Sequence, residues 1–264
     1  MKELLLAAAS TVEATIETAA ESADNGFIGA IKSFFIEFGN DFYDNFIEAD
    51  RYMFLVRGLG NTLLITFFSL VIGILLGFLV AVVRSTHDKT GKLKFLNIIC
   101  KIYLTVIRGT PVVVQLLIIY FVIFASVDID KVFVAVLAFG LNSGAYVAEI
   151  VRSGIMSIDN GQFEAGASLG LSYTQTMISI IIPQAFKNIL PALANEFIVL
   201  LKETSVSGYI AIADLTKGGD TIRSQTYEPL LPLIAVALIY LAMVMILSRL
   251  VTLLERRLAK NDKR

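Results

Sequence analysis

The chain has 264 residues, 56% of them hydrophobic and 17% charged, with a mean hydropathy of +0.75. A soluble domain carries about 25% charged residues, so this composition excludes one and places most of the chain in a membrane. The net charge of −1 argues against a nucleic-acid partner, and the single Cys100 excludes both an internal disulfide and a clustered-cysteine metal site.

Met1 to Asn25 reads as a surface-lying helix, with Glu13, Glu17 and Glu21 recurring every four residues. A cleaved signal is the alternative, but the apolar run Leu4 to Ala9 is shorter than the usual core of such a peptide. Gly26 to Phe54 alternates aromatics (Phe34, Phe35, Phe38, Phe42, Tyr43, Phe46) with acids (Glu37, Asp41, Asp44, Glu48). Aromatics three or four apart share one helix face, which suits a helix at the membrane interface. The region is too charged to cross.

The first span is expected at Leu59 to Val83, where Gly73 and Gly77 form a small patch suited to helix contact. Arg84, His87, Lys89, Lys92 and Lys94 follow, and the positive-inside bias puts them in the cytoplasm. Phe95 to Ala125 reads as one kinked span, broken by Arg108-Gly109-Thr110-Pro111; two separate half-segments are the alternative. Arg108 then lies at membrane depth and needs either a structural partner or a place in the transport pathway. Val132 to Arg152 is the third span. Within it Glu149 and Arg152 are three apart and can pair. Asn142 is either a polar cavity residue or an interhelical hydrogen-bond former.

Ser153 to Lys187 is a long central loop with a row of small residues: Ala165, Gly166 and Gly170 beside Glu164. Small residues permit close approach by another surface. The fourth crossing, Ile189 to Ser205, carries Pro191, Asn195, Glu196, Lys202 and Glu203, and is tolerable only if these groups face protein or a wet cavity. Ser207 to Glu228 is an external segment. The last span starts at Pro229 and Pro232, and a basic tail follows from Arg249 to Arg264. Five crossings put the N terminus outside and the C terminus in the cytoplasm, with Arg51 and Arg57 the only basic flanks on the wrong side.

The words Glu164-Ala165, Gly170, Ile180 and Pro183 resemble the EAA loop of ABC importer permeases. Arg108-Gly109-Thr110-Pro111, Gln115, Ala148-Glu149 with Arg152, Asn195-Glu196-Phe197 and Lys202-Glu203-Thr204-Ser205 resemble the polar amino acid uptake branch. The resemblance covers roughly Asn40 to Arg257. It implies an all-α polytopic membrane protein with five transmembrane helices and the type I (MetI-like) importer permease fold. Its domains would be an extracytoplasmic N-terminal segment (1–53), a permease domain (54–257) containing the coupling loop (153–187), and a cytoplasmic tail (258–264).

The implied partners are two ATP-binding-cassette ATPase subunits, a second copy or a homologous permease, and an extracytoplasmic amino acid-binding protein. ATP and Mg would be bound by the ATPase, since no stretch here reads as a P-loop; Thr90-Gly91-Lys92 lacks the glycine-rich lead. No cofactor and no catalytic arrangement are expected in this chain. The resemblance assigns ATPase coupling to Glu164, Ala165, Gly166, Gly170 and Pro183. Pathway or substrate candidates are Arg108, Gln115, Asn142, Glu149, Asn195, Glu196 and Lys202. An ion-coupled secondary transporter, an assembly subunit without a pathway, and a permease of this type for another small solute are the competing readings.

Overall fold

Residues 29–261 are described by a computed structural model, so the readings for Met1 to Asn25 and for residues 262–264 lie outside it. The described residues form helices and no strand. In chain order these are α1 (29–42), α2 (Tyr52–Thr90), α3 (Lys94–Gly109), α4 (Val112–Ile118), α5 (Lys131–Met156), α6 (Gly161–Ser168), α7 (Tyr173–Thr176), α8 (Ile182–Glu203), α9 (Leu215–Thr226) and α10 (Leu230–Asn261). Among the described residues, four runs are long and apolar enough to cross a membrane: Tyr52–Thr90, Lys131–Met156, Tyr173–Ile210 and Leu230–Leu258. The pair Lys94–Gly109 and Val112–Ile123 makes a fifth, bent by 109°.

α2 and α5 are the frame. Gly73 and Gly77 of α2 meet Ser143 and Val147 of α5, while Gly140 and Gly144 of α5 meet Ile72 and Leu76 of α2. A Cβ at Gly77 would lie 2.6 Å from Val147 Cγ1 and 2.8 Å from the backbone nitrogen of Ala148. In lipid the hydrophobic effect does not drive helices together, so close packing of small residues and interhelical hydrogen bonds must do so. The polar residues of α2 supply those bonds. Ser69 donates to the Val136 carbonyl (3.1 Å), the Thr66 and Thr204 hydroxyls lie 3.3 Å apart, Thr62 Oγ1 accepts from the Leu215 amide (3.1 Å), and Asn61 donates to the Ala213 carbonyl (2.8 Å).

The helices depart from the expected segments at the Thr110–Pro111 break and at the start of the fourth long helix. The break at Thr110–Pro111 is far sharper than a kink, because Thr110 and Pro111 are both extended and Pro111 caps α4 rather than bending one helix. The helix that carries the fourth crossing begins before Ile189. It runs unbroken from Tyr173, through a π turn at Met177–Ile181, so the second half of the expected central loop is helical. Pro191 sits inside this helix without ending it.

At the opposite end of the bundle from α6, α9 packs on α2 and α10. Asp214 opens it: Oδ1 accepts the Lys217 amide (2.6 Å), and Oδ2 accepts the Ser207 hydroxyl (2.7 Å) and the Gly208 amide (3.1 Å). Burial pushes the Asp214 carboxyl above the usual carboxylate range, and these hydrogen bonds pull the other way without cancelling it. Asp214→Ala is expected to cost about 1–3 kcal/mol, since it removes a helix cap and leaves buried donors unmet. Asp214→Asn keeps a capping oxygen. With a raised folded-state pKa, the stabilising contribution of the acid form fades as pH rises through that value. Thermal melts should therefore show the Asn variant gaining on the parent chain between pH 4 and pH 8.

A candidate coupling surface and an intramembrane polar column

α6 is a two-turn helix standing between α5 and α7 at the end of the bundle. Its end is a Schellman closure: the Gly170 amide bonds the Ala167 carbonyl (2.9 Å) and the Leu171 amide bonds the Gly166 carbonyl (3.0 Å). Gly170 occupies the left-handed position with φ +78° and has nothing near its missing Cβ. Its lack of a side chain therefore lets the helix stop here, and no residue of this chain packs on it. Gly166 is buried against the Thr176 side chain, so its smallness serves the contact of α6 with α7. Ser172 and Gln175 form a capping box that starts α7.

Glu164 and Ala165 face outward, as does Leu169, 77% exposed at the tip. The Glu164 side chain does not cap α6; the Gly161 amide instead bonds Asp159 Oδ1 (2.6 Å). Pro183 lies exposed in the second position of α8. Leu169 was missed in the sequence, where its signal is a lone large apolar residue between Ser168 and Gly170.

The turn gives a direct expectation for Gly170. Gly170→Asn, which tolerates the left-handed region, should keep the α6 turn; Gly170→Val should lose about 1–2 kcal/mol there. Limited proteolysis of the loop checks the difference.

Inside the bundle, α5 carries a polar column. Asn142, Tyr146 and Glu149, four and three residues apart, lie along one side of it. Asn142, 2% exposed, donates to Gln115 Oε1 (3.0 Å), and Gln115 in turn donates to the carbonyls of Ile107 (2.7 Å) and Thr110 (3.0 Å). Asn142 thus makes an interhelical hydrogen bond through its amide nitrogen, while its Oδ1 accepts none. Gln115 closes the elbow between α3 and α4.

Below it, Glu149 accepts from Arg152 (2.6 Å), with Arg84 at 3.8 Å and Arg108 at 3.9 Å from its second oxygen. Arg108 also lies over the Tyr146 ring (5.8 Å). Three guanidiniums share one carboxylate, so this layer is net positive. Arg108, Arg84 and Lys101 line an open recess of about 450 Å³.

Glu196 is buried and accepts from Ser143 (2.8 Å), joining α8 to α5. Asn195 and Lys202 are not brought to this column; they lie exposed on the other side of α8.

Residues 70–260 match the family model described as the binding-protein-dependent transport system inner membrane component. The chain belongs to this family. It is a multi-pass membrane component of a transport system. This permease is 40% identical to the arginine transport system permease protein ArtQ of Bacillus subtilis over 79% of its own length and 94% of that protein. It is 36% identical to the putative glutamine transport system permease protein GlnP of Rickettsia typhi (80% and 95%) and 35% identical to the L-cystine transport system permease protein TcyB of Bacillus subtilis (80% and 89%). Among solved structures, a crystallised amino acid ABC transporter with histidines superposes with a TM-score of 0.73 at 43% identity, covering 80% of this permease and 98% of that chain. The MetNI methionine transporter superposes at 0.68 with 20% identity, which speaks for the fold alone. The permease therefore has the five-helix, MetI-like fold of type I importers.

Proposed function

We propose that this chain is the membrane-spanning subunit of an ATP-driven importer that carries an amino acid across the bacterial cytoplasmic membrane. ATP and Mg are bound by a separate ATPase, and this chain hydrolyses nothing itself. The observation that carries the coupling role is α6: a short, capped helix at the end of the bundle that carries the Arg84 to Lys94 cluster, presenting Glu164, Ala165 and Leu169 outward. Two such permeases, identical or homologous, pair with two ATPases and receive substrate from an extracytoplasmic binding protein. Asn195 and Lys202, exposed at span depth on one side of α8, support the pairing, because polar groups facing lipid are costly.

The end with α6 is cytoplasmic and the end with α9 is external, so the N terminus lies outside. α1, with Phe34, Phe35, Phe38 and Phe42 exposed, lies along the outer interface. Arg108, Gln115, Asn142, Glu149 and Glu196 form the pathway-side column, with Asn195 and Lys202 at the permease pair. The substrate class rests on the relatives, which are named for arginine, glutamine and cystine.

Purification in mild detergent from the native membrane, followed by mass spectrometry, tests this reading. A stoichiometric P-loop ATPase is expected. Isolation of the chain alone under several detergents, with uptake that follows an ion gradient, would overturn it in favour of secondary transport.

A further inference from the structure

A pocket of about 290 Å³ lies under α6. Its walls come from four elements that meet only here. Ser85 and Lys89 belong to the last turns of α2, Ile155 to the end of α5, Phe163 to α6, and Tyr173 and Met177 to α7 and the turn after it. The lining is mainly apolar, and the volume lies at the small end of ligand sites. Two hydroxyls at its wall have no hydrogen-bond partner, those of Ser85 and Tyr173. Ser85 is 6% exposed, and its hydroxyl has no hydrogen-bond partner, although helical serines commonly bond the carbonyl four residues back.

Two charged side chains line the pocket, Lys89 and Asp88. Lys89 is engaged: it donates to Asn160 Oδ1 (2.8 Å) and sits 4.7 Å over the Phe163 ring, which stacks on Tyr173 with centroids 6.1 Å apart. An anionic ligand would have to break these contacts and would meet the Asp88 carboxylate. A ligand without negative charge would do neither.

We infer that this pocket binds a small molecule without negative charge, apolar over most of its surface, with one hydroxyl or amide that bonds Ser85, and that its occupancy restrains α6. The regulatory part rests on the coupling role proposed for α6; the binding part does not. A molecule seated here touches the end of α2 and both flanks of α6 at once. It therefore ties the coupling helix to the frame and slows any movement between them.

The test uses the complex of permease and ATPase carrying Ser85→Cys, with its unlabelled rate as reference. The native Cys100 is buried away from the pocket, and peptide mass mapping separates the two thiols. Methyl and benzyl methanethiosulfonate are the probes. Both should label position 85. The benzyl adduct, which fills the pocket, should cut substrate-stimulated ATP hydrolysis about five-fold or more, while the methyl adduct should leave it near the reference. p-Cresol should protect the thiol, and benzoate should not.

Failure of both reagents to label, or equal protection by benzoate, overturns the binding site. A benzyl adduct with unchanged hydrolysis overturns the restraint. If no ATPase accompanies the parent chain, the coupling role falls, while labelling and protection still decide the pocket.

Discussion

Gly77→Leu is expected to prevent the bundle from assembling. At Gly77 the α2 backbone touches α5 so closely that even a Cβ would sit 2.8 Å from the Ala148 nitrogen. Backbone cannot rotate aside as a side chain can, so the two helices would have to separate. Separation would also break the neighbouring contacts at Gly73, Gly140 and Gly144 and stretch the Ser69 bond to Val136. Overpacking of a core typically costs roughly 1–3 kcal/mol, and this site lies at or beyond the top of that range because a whole interface shifts. Gly60→Leu on the same helix is the control, since nothing lies within 4 Å of its Cβ. Size-exclusion profiles before and after heating should show Gly77→Leu aggregated and Gly60→Leu unchanged. Equal behaviour of the two would refute the close-packed frame.

The second large effect is expected at Leu169. Leu169→Asp should leave the permease folded, because the side chain is exposed and the Schellman bonds around it use only backbone. It should nonetheless abolish retention of the ATPase. A leucine buried at a docking surface contributes roughly 1.5–3 kcal/mol, and a carboxylate in its place adds a desolvation cost. Affinity should fall by about two orders of magnitude, within the span of interface hot spots. Glu164→Gln, which keeps the shape of an exposed side chain, should do far less. Co-purification from matched membranes, with expression of each variant checked by the tag, measures the difference. Full retention of the ATPase by Leu169→Asp would remove this face of α6 from the coupling surface.

Much of this architecture was legible in the residues. The apolar runs marked the spans, Gly73 and Gly77 marked a helix contact, and the spacing of Glu149 and Arg152 marked their pair. What escaped was geometry that a residue type permits without fixing. Pro111 signals a break but not its angle, so a kink was expected where the chain turns by 109°. Gly166 and Gly170 looked alike as small residues. One is small because Thr176 packs on it, the other because the backbone there is left-handed.

The start of the fourth long helix was missed because Ser172 to Thr176 is polar and reads as loop. The signal was present all the same: Ser172 with Gln175 three residues on is a capping-box word. In the polar column, the meeting of Arg84 with Glu149 was hidden because the two lie on different helices far apart in sequence.

α2 has 39 residues, so it is about 58 Å long, nearly twice the roughly 30 Å of hydrocarbon it crosses. Such a rod projects beyond the bilayer. One end is moored to α6 through Lys89, Asn160 and Phe163. Near the other end, Gly58 is pressed against the Asp214 backbone and Asn61 is tied to Ala213. A rigid rod of this length is a lever: a tilt of about 10° about its middle carries each end through about 5 Å in opposite directions. A small rocking of one helix therefore produces opposed displacements on the two faces of the membrane.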